Sequence, residues 1–232
     1  MISLILPSRS RPGRAIAVAR DWIAKAGDDV ELIVSLDEDD PKLDGYLPVM
    51  ELGDMLVAKN HNAVEAINRA ATIAKGDIIV VASDDFECPD QWVRRIEKAT
   101  FARHDWLLKT YDGIQNYIVT LPIMDREYYN RFGYIYNPVY EHMFCDTELT
   151  HVADILGRLL IRNDITFRHN HYSTQKDRHK DAITRKADET FDRGAMAYLK
   201  RVREKFGLLN VDVKALSNEG RDHLKWLKQH GV

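Results

Sequence analysis

Apolar residues along this chain fall into two rhythms. Short, mainly apolar runs at residues 3–6, 30–36 and 78–82 alternate with stretches whose apolar positions recur at three- and four-residue steps. The short runs predict strands buried on both faces, since a strand with one wet face alternates apolar with polar. The stepped stretches predict helices. They cover 14–25 through Ile16, Ala19, Trp22 and Ile23, then 62–74 through Val64, Ile67, Ala71 and Ala74, and 89–98 through Trp92, Val93 and Ile96. Strand and helix alternating in this way predict βαβ units, a parallel sheet and an α/β fold. Right-handed crossovers then bring the carboxyl ends of the three strands to one edge.

Beyond residue 105 the pattern is less regular. Residues 106–111 and 117–122 predict strands joined at Asp112-Gly113, 124–132 a short aromatic-rich helix, and 149–160 a helix. A strand at 165–167 runs into His169-Asn170-His171, and 176–206 and 219–229 read as charged and amphipathic helices. The expected organisation is a domain at 1–172 followed by a helical extension at 173–232. Neither an internal repeat nor a low-complexity linker interrupts it.

The shared strand edge gathers Ser8, Arg9, Asp37, Asp84 and Asp85 from three loops. Ligands of open α/β sheets bind outside the carboxyl ends of the strands. Two adjacent acids there suit a hard divalent cation, which in turn suits a diphosphate. Taken alone, Asp84 and Asp85 could equally cap the helix that follows Pro89.

Composition narrows the picture. The chain has 232 residues, 45% hydrophobic and 30% charged, ordinary values for a globular protein. No apolar run approaches the roughly 20 residues that span a bilayer, so no stable membrane insertion is expected. The N-terminal residues read as a strand rather than a signal peptide. Cys88 and Cys145 are too few and too far apart for a disulfide framework or a cysteine metal site, and a cytoplasmic location is expected. The net charge of −3 hides an asymmetry: residues 176–205 carry 10 basic and 6 acidic side chains. That excess could meet an anionic partner or simply be a solvated helix face.

In order, Pro7-Ser8-Arg9, Asp37, Lys59-Asn60, and Gly76-Asp77 through Ser83-Asp84-Asp85 to Pro89 resemble the GT-A nucleotide-sugar glycosyltransferases, most closely the family 2-like group. The resemblance spans about residues 2–172. It implies a Rossmann-like, mostly parallel central sheet flanked by helices, with the charged C-terminal helices as an appendage. The implied activity is metal-dependent transfer of a sugar from a nucleoside diphosphate donor to an acceptor hydroxyl, with inversion. Pro7, Ser8, Arg9, Asp37, Lys59 and Asn60 would hold the donor, and Asp84 its ribose. Asp85 would bind Mn²⁺ or Mg²⁺ together with His169 or His171. The general base of inverting members comes from a loop before a helix, which implies Glu148 ahead of Asp146. Many relatives have a further acid two positions before Asp84, where this chain has Ala82. Compact members with a charged tail occur among bacteriophage sequences, so the expected acceptors include a modified DNA base as well as a glycan. The rival expectation is a nucleotide-sugar-binding or nucleotidyltransferase-like protein without transfer, although Gly13 alone does not make the latter's glycine-rich first loop.

Overall fold

The computed structural model describes residues 1–170, 185–186, 188–209, 215–229 and 232. Its strands are β1 (Ile2–Ser8), β2 (Val30–Asp37), β3 (Asp54–Ala58), β4 (Ile78–Val81), β5 (Phe86–Glu87), β6 (Leu107–Tyr111), β7 (Ile123–Asp125), β8 (Leu159–Thr166) and β9 (Arg168–His169). Seven of them form one sheet in the order β3-β2-β1-β4-β7-β6-β8, and β5 pairs with β9 in a separate ladder. Within the large sheet only β7 runs against its neighbours. The helices are α1 (Pro12–Ala26), α2 (Ala63–Ile73), α3 (Trp92–Thr100), α4 (Arg126–Asn130), α5 (Cys145–Ile155), α6 (Phe191–Arg203) and α7 (Asn218–Gln229), and a 3-10 helix covers Leu43–Glu51.

The expected mostly parallel α/β sheet is therefore present, and the three runs read from the sequence are its strands β1, β2 and β4. Successive residues of a strand face opposite sides of a sheet, and both sides here are apolar. Ile5, Ile33, Ile79 and Val81 pack on the side of α2 and α5. Leu4, Leu6, Leu32, Val34 and Val80 pack on the side of α1 and α3. The second side is anchored by Trp22 and Trp92, both fully buried. Their rings meet edge to face at 5.3 Å, and Trp22 stacks on Phe167 at 5.4 Å. The Trp22 indole N–H donates to the Phe86 carbonyl at 3.1 Å, which ties this cluster to the strand that follows Asp85.

Local expectations are corrected. Residues 117–122 form no strand, and side chains bond within and just before the segment. The Asp112 carboxylate accepts the N–H groups of Ile114 and Gln115 and the Thr120 hydroxyl, and the Thr150 hydroxyl accepts from Val119 N–H. The helix expected to reach residue 160 stops at Ile155, and Gly157 (φ +66°) turns the chain into β8. Such a left-handed position suits glycine. The 3-10 helix and edge strand β3 were not anticipated, since residues 43–58 have no clear period.

The C-terminal helices are part of the core. Ala195, Tyr198, Phe206, Leu216 and Leu227 join the same apolar cluster as Leu149 and Val152. Helix α6 comes so close that a Cβ on Gly194 would lie 2.5 Å from the Met143 carbonyl oxygen. Among the described residues, a boundary at 172 thus separates no two cores. The first basic residues of the charged segment, 176–180, lie outside the described residues.

One buried network fixes α7. His151, with no exposed surface, sits between the Tyr198 hydroxyl at 2.5 Å and the ring of His223 at 3.2 Å. Burial, followed by the nearby His223, lowers the His151 pKa to about 3. The unfolded chain therefore binds the extra proton between about pH 6.5 and 3, and stability is full above that window and lost as pH falls through it. The expected slope is about 1.4 kcal/mol per pH unit. Thermal melts between pH 7.5 and 4.5 should show it, and His151→Gln should flatten it. An unchanged slope in that variant would refute the assignment.

Candidate active site

The carboxyl edge of the parallel strands carries the predicted polar groups. β2 ends at Asp37, whose neighbour across the ladder is Ala58, the last residue of β3. The Arg9 guanidinium donates to Asp37 Oδ2 at 2.7 Å, and Asn60 Nδ2 donates to Asp37 Oδ1 at 3.0 Å. Arg9 also donates to Asp39 at 2.5 and 3.2 Å. The loop between β1 and α1 is pinned from below. Tyr46 Oη lies 3.0 Å from Ser8 Oγ and accepts Arg11 N–H at 3.0 Å, while Asp40 accepts Ser10 N–H at 2.6 Å. Lys59 is exposed at the rim.

The two acids after β4 point in different directions. The Asp84 side chain is 5% exposed and turned toward α1, where Arg11 Nη1 donates to its Oδ1 at 3.1 Å and Arg14 stands at 3.7 Å. Its Oδ2 is buried without a hydrogen-bond partner. Burial raises the Asp84 pKa against the opposing pull of Arg11 and Arg14. Asp85 is 21% exposed and faces His169, with Oδ2 at 3.4 Å from His169 Nε2. Burial works against the Asp85 charge, but hydrogen bonds from His169 and Ser83 prevail and hold its carboxyl well below the usual range. The ladder between β5 and β9 makes this meeting possible. Phe86 pairs with His169 in register, Asn170 N–H donates to the Asp85 carbonyl at 2.8 Å, and the His169 ring stacks on Phe86 at 4.3 Å. His171 lies outside the described residues.

Of the two base candidates, Glu148 is enclosed. It is 3% exposed. Arg201 of α6 donates to it at 2.9 Å, Asn137 at 2.9 Å and Tyr140 Oη at 2.7 Å. Asp146, one helical residue pair earlier, is only partly buried. Its Oδ1 accepts Thr147 N–H at 2.7 Å, and its Oδ2 has no protein partner among the described residues. Crowding by the surrounding protein raises its pKa. Burial lowers the pKa of the neighbouring His142 against the opposing pull of Asp146, Asp188 and Asp85.

Sequence reasoning passed over Arg11, Arg14, Tyr46, His142 and Arg201. Arg11 and Arg14 flank Pro12-Gly13 directly after the loop of Arg9, so their position was a signal. Arg201 offered none, since its partner lies on an element far away in sequence. Among the described residues, three potential metal ligands converge within 4.8 Å at His104, Asp125 and Glu127. There Asp125 accepts the N–H groups of Asp105, Trp106 and Tyr128, the work of a helix cap. No helix among the described residues is long and apolar enough to cross a membrane.

No family model and no curated protein sequence matches the chain. Solved structures do match it. Mannosyltransferase PcManGT from Pyrobaculum calidifontis, in complex with GDP-Man and Mn²⁺, aligns at TM-score 0.55 and 14% identity over 72% of this chain and 56% of its own. Residues 1–349 of S. aureus TarS in complex with UDP-GlcNAc align at TM-score 0.58 and 14% identity, covering 85% of this chain and 66% of TarS 1–349. Glucosyl-3-phosphoglycerate synthase from Mycobacterium tuberculosis, with Mn²⁺, UDP and glucosyl-3-phosphoglycerate, aligns at TM-score 0.57 and 15% identity, covering 82% and 78%. The chain has the GT-A fold. It spans little more than half the length of the mannosyltransferase. Open α/β sheets in general receive ligands outside the carboxyl ends of their strands, the edge at which β2 and β4 deliver Asp37 and Asp85.

Proposed function

We propose that this chain is a metal-dependent, inverting glycosyltransferase that moves a sugar from a nucleoside diphosphate to an acceptor hydroxyl. The observation that carries the reading is the Asp85–His169 pair, 3.4 Å apart on a ladder built outside the main sheet. One carboxylate oxygen and one imidazole nitrogen fit Mn²⁺ or Mg²⁺, because such ions are bound through one or two protein ligands and complete their shell with phosphate oxygens and water. GT-A structures with a nucleotide and Mn²⁺ or Mg²⁺ support the same reading.

In this mechanism Arg9, Asp37 and Asn60 hold the nucleobase, and the Pro7-Ser8-Arg9 loop supports the nucleoside. Asp85 and His169 would hold the ion, which when bound neutralises charge on the leaving diphosphate. Asp84 binds no ligand directly in this scheme; it orients Arg11 and Arg14 beneath the donor. Asp146 takes the proton of the acceptor hydroxyl as its oxygen attacks the anomeric carbon, while the bond from that carbon to the diphosphate breaks. Its raised pKa makes it a better base than an exposed aspartate. Glu148 serves as the anchor for Arg201 and holds the first turn of α5 in place.

Calorimetry tests the reading. UDP or GDP is expected to bind with Mn²⁺ and to lose at least tenfold in affinity in EDTA, and saturation at about 100 times the dissociation constant should add roughly 2.7 kcal/mol of stability. Equal binding with and without the ion would refute the metal site.

A further inference from the structure

We infer that the base-reading end of the crevice is built for a 2,4-dioxopyrimidine, uracil or thymine, and selects against guanine, cytosine and adenine. This rests on the glycosyltransferase reading and goes beyond it by naming the nucleobase. The fold itself does not choose, since solved GT-A structures carry GDP-Man in one case and UDP in others.

The choice comes from the order of donors and acceptors around Asp37. On one side Arg9 Nη1 donates to Asp37 Oδ2 at 2.7 Å, and on the other Asn60 Nδ2 donates to Oδ1 at 3.0 Å. The orientation of the Asn60 amide is set by its neighbour: Arg69 Nε donates to Asn60 Oδ1 at 2.9 Å. Arg69 is itself held by Glu65 Oε1 at 2.9 Å and the Lys59 carbonyl at 3.1 Å. A guanidinium has only donors to offer, so the oxygen of Asn60 faces Arg69 and its NH₂ faces Asp37. Asn60 Nδ2 also lies 3.3 Å from the Ala58 carbonyl and 3.4 Å from the Leu36 carbonyl, long contacts that a base oxygen can replace. Asp39 fixes Arg9 through both terminal nitrogens. The Arg9 and Asp37 side chains remain 31% and 17% exposed, so a ligand can reach them.

A carboxylate has about four acceptor positions, and Arg9 and Asn60 occupy two of those on Asp37. Arg9 Nη1 gives its two hydrogens to Asp37 and Asp39, so the donor left for a base is the second hydrogen of Nη2, and the crevice presents donor, acceptor, donor. Uracil and thymine present the complement: oxygen at C4, N3–H, oxygen at C2. Guanine presents oxygen, N1–H and then a second N–H, which would meet Arg9 or Asn60 donor to donor. Cytosine and adenine would point an unprotonated ring nitrogen at the Asp37 carboxylate. An unmatched polar group in a partly closed site weakens binding by about tenfold or more.

The test is a titration of UDP, dTDP, GDP, CDP and ADP with Mn²⁺ against the full chain and against Asn60→Asp. UDP and dTDP are expected to bind at least about tenfold tighter than the other three; comparing those two separates a ribose from a deoxyribose and 5-methyl preference. Asn60→Asp turns the pattern into donor, acceptor, acceptor, and should narrow or reverse the preference for UDP over GDP. GDP binding as tightly as UDP to the unaltered chain, with Mn²⁺ dependence intact, overturns the base assignment and leaves the glycosyltransferase reading standing. Failure of all five to bind with Mn²⁺ overturns both.

Discussion

Asp85→Asn is expected to abolish turnover while leaving the fold intact. The amide keeps the size and can still accept from Ser83, but it removes the anion that faces His169. Electrostatic stabilisation by a bound ion supplies several kcal/mol in the transition state, so the loss should be on the order of 10² to 10⁴ in rate. Donor affinity should become indifferent to Mn²⁺. The melting temperature should stay within a few degrees, because Asp85 is near the surface and its main-chain carbonyl keeps the bond from Asn170 N–H. Single-turnover assays beside a thermal melt separate the two effects. A variant that retained wild-type rates would move the metal site elsewhere.

The second large effect is a split between two acids in the same helical turn. Asp146→Asn is expected to lower kcat by roughly 10² to 10⁴ with little change in donor affinity, the usual loss for a general base. Glu148→Gln should do the reverse. It leaves Arg201, only 17% exposed, without its counter-charge. Breaking a buried pair from one side costs about 3 kcal/mol or more, or on the order of 10 °C in melting temperature for a chain of this size. Glu148→Gln combined with Arg201→Met should recover part of that loss, since both buried charges are then absent. If Glu148→Gln instead folds normally and is inactive, the base is Glu148.

The contrast shows how far the sequence could be read. The strands before Ser8, Asp37 and Ser83 were legible because each is buried on both faces, which leaves a plain apolar run with polar residues after it. The grouping of Arg9 with Asp37 followed from strand ends meeting at one edge, whereas Asn60 entered only through the resemblance to the GT-A transferases. The directions of side chains did not. Asp84 and Asp85 are neighbours with identical chemistry, and only the positions of Arg11 and His169 decide which one turns inward. Glu148 carries a helix-start signature that fits either a base or an anchor, and Arg201 settles its surroundings from the far end of the chain. The segment at 117–122 had the apolar content of a strand, yet Val119 N–H donates to the Thr150 hydroxyl and the Thr120 hydroxyl to Asp112 instead of to a neighbouring strand.

The two-residue ladder between β5 and β9 also bears on the order in which the molecule assembles. Its partners are separated by about a third of the chain, and so little pairing cannot repay the entropy of closing that loop by itself. His169 is held beside Asp85 by the pairing of β8 with β6 and the stacking of Phe167 on Trp22. The Asp85–His169 pair is therefore expected to form late, when the rest of the sheet already exists. An ion bound there would act as a clasp across a long loop, and it would slow unfolding more than it would speed folding.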